Sequence, residues 1–241
     1  MSNPIALITG SARRIGAHTA KYLHNNGVDV IIHCHHSRQQ GQALVDELNQ
    51  TRLQSAWLVE QDLSEPQAAE AILAHVKSLG LTITYLINNA SVFIKNDESI
   101  NGLDSWEAQF HINTKMPYAL SLAFQPMLKA NQGAIINITD IHSLTPLKDY
   151  TIYCQSKAAL AMQTRALAKQ FAPDIRVNAV APGAIAWPEE ANALSKAQQQ
   201  SIIDKTYLKK HGHPDFIAQA VYALISNPFI TGQHLCVDGG R

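Results

Sequence analysis

Short runs of branched apolar residues alternate along the chain with longer stretches in which apolar residues recur every three or four positions. The first kind predicts strands and the second predicts helices. Strands are expected at Ile5–Thr9, Val28–Cys34, Ser55–Gln61, Tyr85–Asn88, Ala134–Thr139, Arg176–Ala181 and His234–Val237. Helices are expected at Arg14–Asn26, Arg38–Gln50, Glu65–Leu79, Ser105–Ala130, Tyr153–Phe171 and Pro214–Ser226. Asn26-Gly27 closes the first of these as a C-terminal stop should. This alternation implies an α/β fold, a doubly wound parallel sheet of about seven strands with helices on both faces. Between Gly183 and Gly212 a segment containing Trp187, Pro188, Glu189, Glu190 and Gln198–Gln200 reads as helical but weakly anchored, so residues 184–212 are expected to form a substrate lid. Neither repeats nor low-complexity linkers interrupt the chain, and residues 1–241 are expected to be a single domain.

Composition narrows the partners. The 241 residues are 46% hydrophobic and 16% charged, which suits a chain folded throughout. Nineteen Lys plus Arg offset nineteen Asp plus Glu, so no basic field gathers nucleic acid or an anionic membrane. Met1 to Gly10 run straight into a strand without the pattern of a secretory signal, and no apolar run is long enough to span a bilayer. Cys34, Cys154 and Cys236 are odd in number and far apart; they read as free thiols in a reducing compartment, which implies a cytoplasmic protein. The cluster His33, His35, His36 lacks an accompanying carboxylate or thiolate set, so no metal is expected there.

Thr9-Gly10-Ser11-Ala12-Arg13-Arg14-Ile15-Gly16 follows the first strand and opens the first helix. Glycine there allows tight turning and close approach, while unpaired N–H groups at the helix start attract a pyrophosphate. A dinucleotide fold of Rossmann type is the expectation. At the end of the second strand an acid would hold the ribose hydroxyls of NAD. The sequence has His33-Cys34-His35-His36-Ser37-Arg38 instead, with His33, His36 and Ser37 supplying donors for the 2′-phosphate of NADP.

Tyr153 and Lys157 are four positions apart on a predicted helix and project from one face. An ammonium beside a phenol favours the phenolate, so Tyr153 is expected to be drawn towards physiological pH as a proton donor. With the turn at Thr9–Gly16, Asn88-Asn89-Ala90-Ser91 after the fourth strand, Asn113 in a helix, Pro182-Gly183 after the sixth strand and Asp238-Gly239-Gly240 at the end, the chain resembles the short-chain dehydrogenase/reductase family over nearly its whole length. The resemblance implies that Tyr153 delivers a proton, Lys157 tunes it and holds the nicotinamide ribose, and Asn113 supports a proton-relay water. It implies that Asn89 stabilises the central strand beside the cofactor and that Asp62 lies at the adenine. Gly10, Arg13, Arg14, Ile15, Gly16, Leu63, Ala90, Ser91, Pro182 and Gly183 complete the expected NADP contacts.

Two departures from the common family pattern sharpen the reading. Most members place a serine thirteen residues before the tyrosine; here that position is Asp140, whose carboxylate would repel a developing alkoxide. Ser143 is a nearby substitute if the loop is shifted. Arg14 stands where most members have the middle glycine of the turn. Both departures resemble the pteridine reductase branch, as do Asn88-Asn89-Ala90-Ser91-Val92-Phe93, Asp149-Tyr150-Thr151-Ile152-Tyr153 and the histidine-rich strand end. Phe93 is then expected to stack on a flat pterin or folate-like ring, with Ser91 on its edge, Arg14 near it, and Trp187 and Tyr150 at the pocket mouth. The resemblance further implies a homotetramer in which Arg241 could approach a neighbouring site. A general carbonyl or 3-oxoacyl reductase and a non-catalytic NADP-binding regulator stay open as other readings.

Overall fold

The computed structural model describes residues 3–96, 103–189 and 192–241. Glu190 of the expected lid lies outside them. Among the described residues the strands are β1 (Ile5–Ile8), β2 (Asp29–Cys34), β3 (Ala56–Glu60), β4 (Tyr85–Asn88), β5 (Ala134–Ile138), β6 (Arg176–Pro182) and β7 (His234–Val237). The helices are α1 (Arg14–Asn25), α2 (Arg38–Thr51), α3 (Ala68–Ser78), α4 (Leu103–Phe110), α5 (Met116–Ala130), α6 (Thr151–Phe171), α7 (Lys196–Asp204) and α8 (Pro214–Ser226). The seven strands form one parallel sheet in the order β3, β2, β1, β4, β5, β6, β7. No described helix is long and apolar enough to cross a membrane.

Side chains alternate across a strand, so each strand feeds both faces. Along β1, Ala6 and Ile8 join Leu23, Leu44, Leu48, Val221 and Leu224 beneath α1, α2 and α8. Leu7 joins Ile72, Leu120, Phe124 and Leu167 on the opposite face, beneath α3, α5 and α6. Both layers exclude water almost completely, which is why the strands read as apolar on successive residues rather than alternately.

The helix expected over Ser105–Ala130 is corrected by the structure. It is broken by a π turn, His111–Lys115, between α4 and α5. The reason is Pro117, which has no N–H to close an α-helical bond onto the Asn113 carbonyl four residues earlier. The ladder takes a longer step, and the Met116 N–H reaches the His111 carbonyl. Asn113 therefore sits in a π turn, a feature that often marks a functional position. In the segment after β6, α7 has no buried residue and begins with a capping box between Ser195 and Gln198. It is held by its cap rather than by a core.

Candidate active site

Strand order reverses between β1 and β4, and in an open α/β sheet the crevice beyond the carboxyl ends of two such strands is where ligands bind. Two loops meet there. Gly10 has φ +61°, and a Cβ on it would lie 3.0 Å from Ala90 Cα. On Gly16 a Cβ would lie 2.6 Å from the Gly10 carbonyl and 2.7 Å from Asn89 Nδ2, so no side chain fits this turn. Asn89 fastens it, donating from Nδ2 to the Thr9 and Gly10 carbonyls at 2.8 and 3.0 Å. Thr9 Oγ1 accepts the N–H groups of Asn89 and Ala90, an anchor the sequence reading did not single out although Thr9 lies in the motif. Helix α1 starts without a side-chain cap and without an acid in its first turn, which leaves its leading N–H groups to an anion.

The strand end is corrected at one residue. His33 was expected to offer a donor to a phosphate, but it is 2% exposed and both ring nitrogens hold backbone. Its Nδ1 accepts the Gly10 N–H at 3.1 Å and its Nε2 faces the Gln61 carbonyl at 3.0 Å. It ties the turn to the β2 and β3 ends. His36 stacks against His35, whose Nε2 lies 3.5 Å from an Asp62 carboxylate oxygen. The histidine cluster thus does have a carboxylate neighbour. Asp62 also accepts the Ser64 N–H, which with smaller contributions from His35 and His36 holds its carboxyl below the usual range despite some opposing burial. Ser37 precedes α2 without capping it by its side chain, and Arg38 pairs with Glu60. Leu63 is buried.

Arg14 adopts φ 55°, the left-handed region in which a residue with a Cβ costs about 1 kcal/mol or more. Its guanidinium donates to the Trp187 carbonyl at 2.8 Å and to that of Ala186 at 3.4 Å, and stands 3.8 Å from Glu189. Arg13 lies 4.0 Å from the same carboxylate. The strained arginine latches the segment after β6 onto the phosphate turn. Arg14→Gly relieves the strain but removes the latch, so thermolysin should cleave within residues 184–195 roughly threefold to tenfold faster. Unchanged cleavage would show that the latch holds nothing.

Beyond β5 the chain assembles the candidate acid–base group. Asp140 Oδ1 caps the 3-10 turn Ile141–Ser143 by accepting the His142 N–H at 2.8 Å. That fixes the carboxylate so that Oδ2 accepts the Tyr153 hydroxyl, also at 2.8 Å. Ser143 donates to the Asp140 carbonyl and does not take the serine's place. Lys157, fully buried, donates to the Ile138 carbonyl at 2.9 Å and lies 5.8 Å from the centre of the Tyr153 ring. Burial lowers its ammonium to about 8, with Asp140 opposing. The expected lowering of the phenol by Lys157 is corrected: burial first, then the Asp140 charge and hydrogen bond, push Tyr153 well above its ordinary value.

Asn113 uses its whole amide. Oδ1 accepts from Ser91 Oγ and the Val92 N–H, while Nδ2 donates to the Val92 carbonyl and to Ser156 Oγ, all at 2.9 to 3.0 Å. Phe93 meets Tyr153 edge-on at 4.7 Å and lies flat against Tyr150 at 4.2 Å. Asn192 locks this wall, accepting the Tyr150 hydroxyl at 2.8 Å and donating to the Phe93 carbonyl at 2.9 Å. No periodicity marked Asn192. The Trp187 ring stacks on His211 at 4.4 Å. Pro182 ends β6, and Gly183 passes so close to Asp238 that a Cβ would meet it at 2.6 Å.

Residues 10–241 match the enoyl-(acyl carrier protein) reductase family. The fold is similar to that of alternative dihydrofolate reductase 1 (FolM) from Brucella suis, solved in complex with NADP, with TM-score 0.91 and 30% identity over 99% of this chain and 95% of that one. Dihydromonapterin reductase of Citrobacter koseri is 29% identical over 98% of this chain and 95% of its own. The 3-oxoacyl-[acyl-carrier-protein] reductase FabG of Staphylococcus epidermidis is also 29% identical, over 99% and 98%.

Proposed function

We propose that this chain, which belongs to the short-chain dehydrogenase/reductase family, is an NADPH-dependent reductase of oxidised or dihydro pterins. The observation that carries the reading is the hydrogen bond from the Tyr153 hydroxyl to Asp140 at a position where the common family pattern has a serine. A carboxylate there opposes an alkoxide, which disfavours the general carbonyl or 3-oxoacyl reductase. It suits a substrate that brings N–H donors of its own. The intact acid–base group speaks against a non-catalytic regulator.

The residues present fit NADP. Gly10, Ile15 and Gly16 at the uncapped start of α1 would take the pyrophosphate, Arg13, His36 and Ser37 the 2′-phosphate, and Asp62 and Leu63 the adenine side. Asn89, Ala90, Ser91, Lys157, Pro182 and Gly183 would line the nicotinamide side. NADPH, when bound, supplies the hydride to a pterin ring carbon. Tyr153 breaks its O–H bond and gives the proton to the adjoining ring nitrogen. Asp140, whose Oδ2 accepts the Tyr153 hydroxyl at 2.8 Å, orients the phenol or replenishes its proton after the transfer. Phe93, stacked on Tyr150 and in T-shaped contact with Tyr153, would line the wall against which the pterin lies, with Ser91 at the ring edge and Arg14 and Trp187 at the lid formed by residues 184–212.

NADPH oxidation should be followed with biopterin, dihydrobiopterin, dihydrofolate and a panel of ketones. Pterins should turn over and ketones should not, and Asp140→Ala should lose about 10²-fold in kcat. Ketone turnover alone would reinstate the competing reading, and unchanged turnover in the variant would remove Asp140 from the mechanism. Exposed Tyr118 and Leu122 on α5 and Met162 on α6 support a homotetramer, and the free thiols support a cytoplasmic location.

A further inference from the structure

Three potential metal ligands meet where the segment after β6 ends and α8 begins. His18 projects from α1 one turn beyond Arg14, His213 caps α8, and Asp215 lies in the first turn of α8. The Asp215 carboxylate sits between two imidazoles, with His18 Nδ1 2.7 Å from Oδ1 and His213 Nδ1 3.2 Å from Oδ2. One ligand atom from each residue lies within 4.8 Å of the other two. The two rings meet edge to face at 5.1 Å. Among the described residues no other group of three such side chains converges in this way, and none of the three belongs to the acid–base group.

Two imidazoles and one carboxylate suit Zn²⁺ or a similar borderline ion, whereas Mg²⁺ and Ca²⁺ prefer oxygen throughout. Tetrahedral donors about 2.0 Å from zinc stand roughly 3.4 Å apart, so the donors need to move by no more than about 1.5 Å. Their side chains are 39%, 54% and 48% exposed and can turn without disturbing the backbone. His213 Nδ1 also accepts the Asp215 N–H at 3.3 Å, a long bond that gives way when Nδ1 turns to an ion. Water would fill the fourth position. We propose that His18, His213 and Asp215 bind a divalent ion of the Zn²⁺ class. The ion would fasten the end of the lid segment to α1. Gly212 already donates to the Ala184 carbonyl at 2.9 Å, so the two ends of that segment are joined and a clamp at one restrains the other.

The test uses the full chain without an affinity tag, titrated with ZnCl₂ by calorimetry and with CoCl₂ by visible absorption. One equivalent of Zn²⁺ should bind, Co²⁺ should show the intense d–d bands of a low-coordinate site, and Zn²⁺ at ten times its Kd should raise Tm by about 4 °C. His18→Ala leaves the α8 cap in place; it should weaken binding at least about tenfold and abolish the Tm shift. Asp215→Asn should do the same. Absence of one-equivalent binding in the wild type, or equal affinity in wild type and His18→Ala, overturns the proposal.

Discussion

Tyr153→Phe is expected to lower kcat for pterin reduction by about 10³-fold, within the range lost when a positioned proton donor is removed. The ring is 5% exposed and packs edge-on against Phe93, so phenylalanine should fill the same space and preserve the wall. What disappears is the hydroxyl. Asp140 Oδ2 then loses its donor at 2.8 Å, and on the proposed mechanism the substrate nitrogen loses its proton source. KM should change little, because the phenol acts on the transition state more than on the bound ring. Steady-state kinetics with dihydrobiopterin check this. A variant within tenfold of the wild type would mean that the Tyr153 hydroxyl is not the proton donor.

The pH profile separates the partners further. Lys157 is lowered from 10.5 to about 8 by burial, so its ammonium is intact below that pH and lost above it. If the charge on Lys157 supports catalysis, kcat/KM should fall above about pH 8 in both wild type and Tyr153→Phe. The phenol itself is held too high to contribute a limb in that range.

Periodicity was enough to read the layers. Every predicted strand lies within one residue of an observed one at each end; β1, β2, β4, β5 and β6 are apolar runs buried on both faces, which leaves little choice of structure, whereas β3 and β7 are partly exposed. The break at Asn113 was written in Pro117, but the apolar repeat runs across it unaltered and hides it. Within the site, Asp140, Tyr153 and Lys157 were legible because thirteen and four residues separate them in a recognisable pattern. The direction in which Tyr153 shifts was not. Sequence gives the neighbour, whereas the sign depends on whether the ammonium or the carboxylate takes the hydroxyl, and on how much water remains. Asn192 and the Arg14 latch depend on long-range closure of the segment after β6, for which local pattern carries no signal. His33 went astray for a related reason: alternation places it on the strand but does not say that one face at that point is filled by Gly10 and Gln61.

That buried histidine makes the phosphate turn sensitive to acid. The Gly10 N–H can only donate and the Gln61 carbonyl can only accept, so His33 must be neutral, with its proton on Nε2. Burial drives its pKa from 6.5 down to about 4, against the hydrogen bond to Gln61. In the unfolded chain the ring takes a proton near pH 6.5, while in the fold it resists until about 4. The unfolded state therefore binds more protons in that window, and stability is lost as pH falls through it. At roughly 1.4 kcal/mol per pH unit the loss is about 3 kcal/mol. Urea denaturation from pH 7 to pH 4 should show this slope, and His33→Gln, which keeps one donor and one acceptor without titrating, should be flatter by that amount whatever its stability at pH 7. His24, also lowered by burial, remains in both proteins and cancels from the comparison. An equally steep acid slope in the variant would mean that His33 is not the group responsible. Protonation also sets a second N–H against that of Gly10, so the turn should open and NADPH affinity should fall over the same range before the chain unfolds.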